Sequence, residues 1–216
     1  ARLFTALDDK VGKGRWTAFL TADHGGVTVP GLEKQRGLPV DYWNPEPMKA
    51  RVDTALNARF GRSDLILKYD NDQFFLDRPL MRDAGIDADV VARFVADVAA
   101  EAPEVQRTLT AADLRVGAFT EGAEATVLRG WHPKASGDVV VVLKPGYLEY
   151  GRTGTSHGSP YAYDTHVPFL IMGPGVPHGA TYERTEIRDI APTLSALLGF
   201  PRTSGCTGKP MEDLFD

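Results

Sequence analysis

An α/β fold, with mostly parallel strands sandwiched by helices, is predicted by three features of this 216-residue chain. Helical periodicities alternate with short apolar runs, which is the pattern of βα units rather than of an all-helical or all-β protein. One run, Asp138 to Leu143, contains four valines and a leucine, and a run without polar alternation reads as a strand covered on both faces. Two histidine–glycine turns, Asp23-His24-Gly25-Gly26 and Gly154-Thr155-Ser156-His157-Gly158, adjoin other apolar runs, and open α/β sheets bind ligands at such strand ends.

Taken in order, Leu3, Phe4, Leu7 and Val11 mark one face of a helix over about 1–11, which Gly12 and Gly14 end. Trp16 to Ala22 follows as a strand. Residues 25–45 are rich in Gly and Pro and read as loop. Met48, Val52, Leu56 and Phe60 recur at helical spacing until Gly61 stops them. Ser63 to Tyr69 and Gln73 to Leu76 form a hairpin around Asp70-Asn71-Asp72. Asp87 caps a helix whose buried side is expected to hold Val90, Val91, Phe94, Val95 and Val98. Thr110 to Leu114 is a single helical turn, and Lys144-Pro145-Gly146 ends the valine strand. A strand over 166–172 follows. The last helix places Ile187, Ile190, Ala191, Leu194, Leu197 and Leu198 on one face, with Asp189 as its cap and Gly199 as its stop. One domain over 1–216 is expected, with an inserted α+β lobe at 45–130.

Composition narrows the function. A net charge of −5 with scattered Lys and Arg does not suit a nucleic-acid surface. No apolar stretch approaches the roughly 20 residues of a membrane-spanning helix. Cys206 is alone, so no internal disulfide forms. The chain opens inside a helix without an initiator Met, which reads as part of a longer protein.

Asp23 and His24 pair a hard oxygen with an imidazole nitrogen, a combination that suits zinc, manganese or iron. The bland alternative is a capped turn holding a hydrogen-bonded histidine. In the second turn His157 is the favoured ligand, with small residues before it and Gly158 after. His166 is the alternative ligand, and Asp164 is expected to orient an imidazole from behind. Thr155 and Ser156 lack the Gly-x-Ser-x-Gly elbow of a nucleophile and read as loop hydroxyls. Ser204 to Pro210 lacks the first Gly and the Ser/Thr of a P-loop.

Several blocks carry a family resemblance: Thr21 to Gly25, Leu143 to Gly146, Gly154 to Pro168, Asp189 to Leu194 and Ser204 to Pro210. In this order they resemble the C-terminal half of the alkaline phosphatase superfamily. Within it they are most similar to the PafA-type, phosphate-irrepressible branch, related to the type I phosphodiesterases and nucleotide pyrophosphatases. The resemblance implies hydrolysis of a small phosphate ester by two zinc ions about 4 Å apart and a Thr or Ser nucleophile. It implies that Asp23 and His24 hold the nucleophile-side ion and that His157 completes the other. The family's nucleophile, first metal-binding Asp and Asp-x-x-x-His pair belong upstream of the matched region, so the missing N-terminal half is an expected partner. Export to the periplasm or secretion is implied as well. The alternatives are a phosphodiesterase of the same superfamily, or a non-catalytic phosphate-binding or structural half-domain.

Overall fold

Helix α3 (Glu46–Phe60) buries Met48, Val52 and Leu56, the apolar stripe read from the sequence. It ends where Gly61 adopts φ 68°, a left-handed conformation that glycine takes without a Cβ clash. The computed structural model describes residues 2–151 and 153–215. Two compact units divide the chain: Asp23–Val167, and Ala1–Ala22 together with Pro168–Asp216.

Asp23–Val167 is built on a four-stranded sheet in the order β3 (Ile66–Asp70), β4 (Gln73–Leu76), β6 (Val139–Leu143), β5 (Val105–Thr110). The β3–β4 turn has Asn71 and Asp72 at φ 51° and 56°, as a two-residue hairpin turn with two left-handed positions requires. β6 occupies an inner position, and four of its five residues are buried, as its unbroken apolar run predicts. Asp138 locks β6 to β4. Its carboxylate accepts from the Leu76 amide at 2.7 Å and from Arg78 Nε at 2.6 Å, so the buried charge is paired.

Helix α5 (Ala88–Ala99) covers this sheet. Asp87 caps it by accepting from the amides of Asp89 and Val90. Val91, Val95, Ala92, Ala96 and Ala99 are buried, whereas Val90, expected inside, is 53% exposed. The alanines allow close packing on the sheet, so the buried stripe turns away from Val90. Thr110 and Asp113 form a reciprocal capping box at the start of α6 (Ala111–Val116). The unit also contains α2 (Pro30–Gln35), α4 (Arg78–Asp83), α7 (Gly122–Gly130), the short α8 (Ala162–Thr165), and a two-residue parallel pair, β2 (Tyr42–Trp43) with β7 (Leu148–Glu149). Of these, α2 occupies a stretch read as loop, and α4, α7 and β5 have no counterpart in the sequence reading. The core runs from Trp43 to Leu143, beyond the 45–130 limits expected for a lobe.

In Ala1–Ala22 with Pro168–Asp216, β1 (Ala18–Leu20) pairs antiparallel with β8 (Leu170–Met172). Both strands are shorter than expected, since 166–169 is not strand. Helix α1 (Arg2–Val11) forms as its periodicity predicts, and Phe4 stacks on Trp16 with ring centroids 5.3 Å apart. A 3₁₀ turn (Ile187–Asp189) leads into α9 (Ile190–Leu197). Asp189 does not cap α9 with its side chain. It is buried and accepts instead from the amides of Glu186 and Lys209. Of the face expected to be inside, Ile190 is buried, but Ile187 and Leu198 are exposed. Cys206 is half-buried.

The α/β class holds, but the predominance of parallel pairing does not. Among the described pairs only β2–β7 is parallel. β3 and β4 are joined by two residues, and a connection that short reverses the chain, whereas a parallel neighbour needs a crossover of roughly a dozen residues.

Candidate metal centre

The two histidine turns meet in space. The Gly25 amide donates to the Asp164 carbonyl at 2.7 Å, Gly26 to Tyr163 at 2.9 Å, and Val27 to Ser156 at 3.3 Å. Thr155 Oγ1 donates to the Val27 carbonyl, which is the loop-hydroxyl role read from the sequence. Gly25 is required by contact: a Cβ there would collide with the Tyr163 carbonyl oxygen. The first turn is thus laid against residues 155–164 by backbone hydrogen bonds, independent of its functional side chains.

On this frame the imidazoles of His24 and His157 stack, with centroids 3.4 Å apart and planes 15° from parallel. His24 Nδ1 donates to the Gly25 carbonyl at 2.6 Å, since a carbonyl only accepts. That bond fixes the tautomer and leaves Nε2 with its lone pair, as in histidines that bind metals through Nε2. Nε2 lies 3.7 Å from Asp23 Oδ2. Two donors on one tetrahedral zinc, at bond lengths near 2.0–2.1 Å, stand roughly 3.3 Å apart. The Asp23–His24 pair therefore fits a single divalent ion with little adjustment. Asp23, His24 and His157 are all exposed, so the donors are accessible.

Asp164 is the buried member, 5% exposed. Its Oδ2 accepts from the Ser159 amide at 2.7 Å, and its Oδ1 is buried without a hydrogen-bond partner. Through Oδ2 it holds the loop after His157. His166 follows α8, is exposed, and makes no ring stack or side-chain hydrogen bond with Asp23, His24 or His157 among the described residues. No group of three or more His, Cys, Asp and Glu side chains converges on one point among the described residues.

Sequence reasoning missed the tyrosines that fix this loop. Tyr161 Oη donates to the Leu143 carbonyl at 2.6 Å, and Tyr163 Oη accepts from the Gly146 amide at 3.1 Å. The alternation Tyr161-Ala162-Tyr163 before Asp164 was the available signal. Both rings line a cavity of about 290 Å³ that also touches His157, Asp164, Trp131 and Asp72. Asp72, deep in this region, is pushed up to about 6, chiefly by burial, with Glu149 adding repulsion and Tyr69 opposing through a hydrogen bond. Glu149 is raised too, chiefly by burial.

This α/β backbone is that of the alkaline phosphatases. The whole chain superposes on 41% of the crystal structure of wild-type alkaline phosphatase PafA, with a TM-score of 0.89 at 32% identity. In sequence, 99% of the chain is 34% identical to 39% of alkaline phosphatase PafA from Elizabethkingia meningoseptica. A second relative, alkaline phosphatase PhoV from Synechococcus elongatus, is 33% identical over 98% of the chain and 38% of its own length. The chain is similar to these alkaline phosphatases over nearly all of its own length and spans about two fifths of theirs. No family model matches it.

Proposed function

We propose that the whole protein hydrolyses phosphate monoesters at a two-zinc centre to which this chain contributes Asp23 and His24 for one ion and His157 for the other. The observation that carries this reading is the donor pair at 3.7 Å beside a second imidazole stacked at 3.4 Å. It occurs in a chain whose whole backbone matches an alkaline phosphatase. Divalent ions there would offset charge on the phosphoryl oxygens and favour an ionised oxygen nucleophile near neutral pH. The chain's own residues do the holding. The Gly25 carbonyl keeps the His24 proton on Nδ1, and Asp164 and the two tyrosines hold the loop that carries His157. The Thr or Ser nucleophile and the remaining ligands are assigned to polypeptide outside these residues, the missing N-terminal half. On the same reading the protein is exported, and residues 45–130 form an α+β lobe inserted in the larger domain.

The test is metal content and aryl phosphate hydrolysis of the whole protein, comparing Asp23→Asn, His157→Ala and His166→Ala. Asp23→Asn and His157→Ala should each lose about one ion per protein and at least roughly a hundredfold in rate, because members of a catalytic unit fail together. His166→Ala should keep both ions. Full metal content and full rate in Asp23→Asn would overturn the reading. Loss of an ion in His166→Ala alone would transfer the role from His157 to His166. The 216-residue chain by itself should be inactive at saturating zinc.

A further inference from the structure

The cavity of about 290 Å³ beside His157 has a lining that the metal reading leaves unused, and all of that lining belongs to Asp23–Val167. Trp131, Tyr161 and Tyr163 contribute rings whose polar ends are engaged by backbone. Trp131 Nε1 donates to the Gly137 carbonyl at 3.3 Å, Tyr161 Oη donates to the Leu143 carbonyl, and Tyr163 Oη accepts from the Gly146 amide. What these rings offer an occupant is therefore chiefly π surface, which attracts cations. Three carboxyls share the lining, Asp72, Glu149 and Asp164, and Lys144 is the only lysine or arginine among the described lining residues. Asp164 is 5% exposed, and its Oδ1 is buried without a hydrogen-bond partner. A buried carboxylate oxygen left unpaired is costly, and a charged N–H donor offsets that cost best. Burial holds Asp72 and Glu149 above the ordinary carboxylate range, and repulsion from neighbouring carboxylates adds to it. A cation between them would relieve both effects.

We propose that this cavity is a subsite for a protonated amine, and that the whole protein acts on phosphate monoesters of short amino alcohols. The ester's phosphoryl group lies on the His157 side and its ammonium among the rings and carboxyls. Size and charge select this class. Ligand clefts run from roughly 300 to 1,000 Å³, so a cavity at the lower edge of that range takes a short alcohol rather than a nucleoside. A second phosphate would meet three carboxyls, and an apolar alcohol would leave Asp164 Oδ1 unpaired. The substrate class rests on the phosphatase reading above, whereas the amine subsite rests on the cavity alone.

Two measurements on the whole protein separate these. The first compares hydrolysis of 2-aminoethyl phosphate and ethyl phosphate at about pH 7.5, where an alkyl amine is protonated. Glu149→Gln and Asp72→Asn should each cut the ratio of the two kcat/KM values by roughly tenfold, and leave the ethyl phosphate rate unchanged. Comparing ratios between proteins cancels the intrinsic reactivity of the two esters. The second follows the Trp131 indole N–H resonance during titration with ethanolamine, ethylene glycol or inorganic phosphate. Ethanolamine alone should shift it saturably, and about tenfold more weakly in either variant. Hydrolysis of ethyl phosphate with the same ratio in all three proteins overturns the substrate class but not the phosphatase reading. If neither ester is hydrolysed, the phosphatase reading fails and the titration decides the subsite. No shift with ethanolamine, or an equal shift with ethylene glycol or phosphate, overturns the amine subsite.

Discussion

Asp23–Val167 and the unit formed by Ala1–Ala22 with Pro168–Asp216 come from one chain of even composition, yet they bury their apolar residues differently. In the first, Val52, Leu56, Leu65, Met81, Val91, Val95 and Val139 are wholly inaccessible and share one core. In the second, Ile190 is the only large aliphatic side chain that is buried among the described residues, while Leu3, Leu20, Leu170, Ile187, Leu198 and Phe200 are each more than half exposed. A large apolar side chain contributes about 1.5–3 kcal/mol when fully buried and little when left in water. The first unit has the content of a self-sufficient domain. The second has the strands and helices of a domain without its interior.

The sharpest way to break this comparison is to delete side chains on each side of it. Phe74→Ala removes a ring that is 1% exposed and packs edge-on against Tyr69 with centroids 4.7 Å apart. Unfolding of the chain in denaturant should show a loss of about 3–5 kcal/mol for the transition of Asp23–Val167. A loss below roughly 1 kcal/mol would mean that this core is loosely packed, and the contrast would fail.

A second effect belongs to the same unit and has a definite sign. Asp72 has its pKa raised by burial from the ordinary carboxylate range to about 6. The folded state therefore binds a proton more readily than the unfolded chain between about pH 4 and 6. Stability from this group is fully present below its unfolded pKa and falls as pH rises through 6, by at most about 3 kcal/mol. Glu149, raised for the same chief reason, acts in the same direction. Asp72→Asn removes the titration, so the mutant's stability should fall less than that of the natural chain over this range. Identical pH profiles for the two would show that Asp72 is not buried as described.

What the sequence revealed follows the same division. Elements closed by local chemistry were legible: α3 with Gly61, the hairpin at Asn71-Asp72, α5 with its Asp87 cap, and the helical turn after Thr110. β5 was not, because Val-Gln-Arg-Thr-Leu-Thr alternates poorly and becomes a strand only through pairing with β6. The direction of strand pairing was also misjudged, since it depends on connections and neighbours that apolar runs do not encode. At the site, Asp23, His24 and His157 were visible as residue types flanked by glycines, but the Gly25–Asp164 bond and the two tyrosine anchors join residues far apart in the chain. The bond that Asp164 accepts from the Ser159 amide, which holds the loop after His157, was likewise not legible in the sequence.

Gly25→Ala probes the junction on which the candidate site depends. The added methyl must push Tyr163 away, and that movement strains the bonds from Gly25 and Gly26 to residues 163 and 164. A loss of about 1–3 kcal/mol is expected, the usual range for overpacking. The rings of His24 and His157 should separate, which their NMR side-chain shifts would report. Unchanged stability and unchanged ring shifts would mean that the two turns are not held together as described.

The smallest effect should come from Leu20→Thr, and it is the most direct test of the contrast between the units. Leu20 is 63% exposed in a three-residue strand whose pairing with β8 runs through backbone bonds. Threonine is β-branched, a shape that strands accept, so the ribbon loses neither pairing nor local preference. With little burial to lose, stability of the isolated chain should stay within about 0.5 kcal/mol of the original. Solubility should rise, because an uncharged apolar strand edge is a template for association between chains. The same substitution in a polypeptide that supplies the missing layers should cost about 1–3 kcal/mol, because there the side chain enters a packed interior. A large loss already in the isolated chain would mean that Leu20 is packed in solution and that the second unit covers itself.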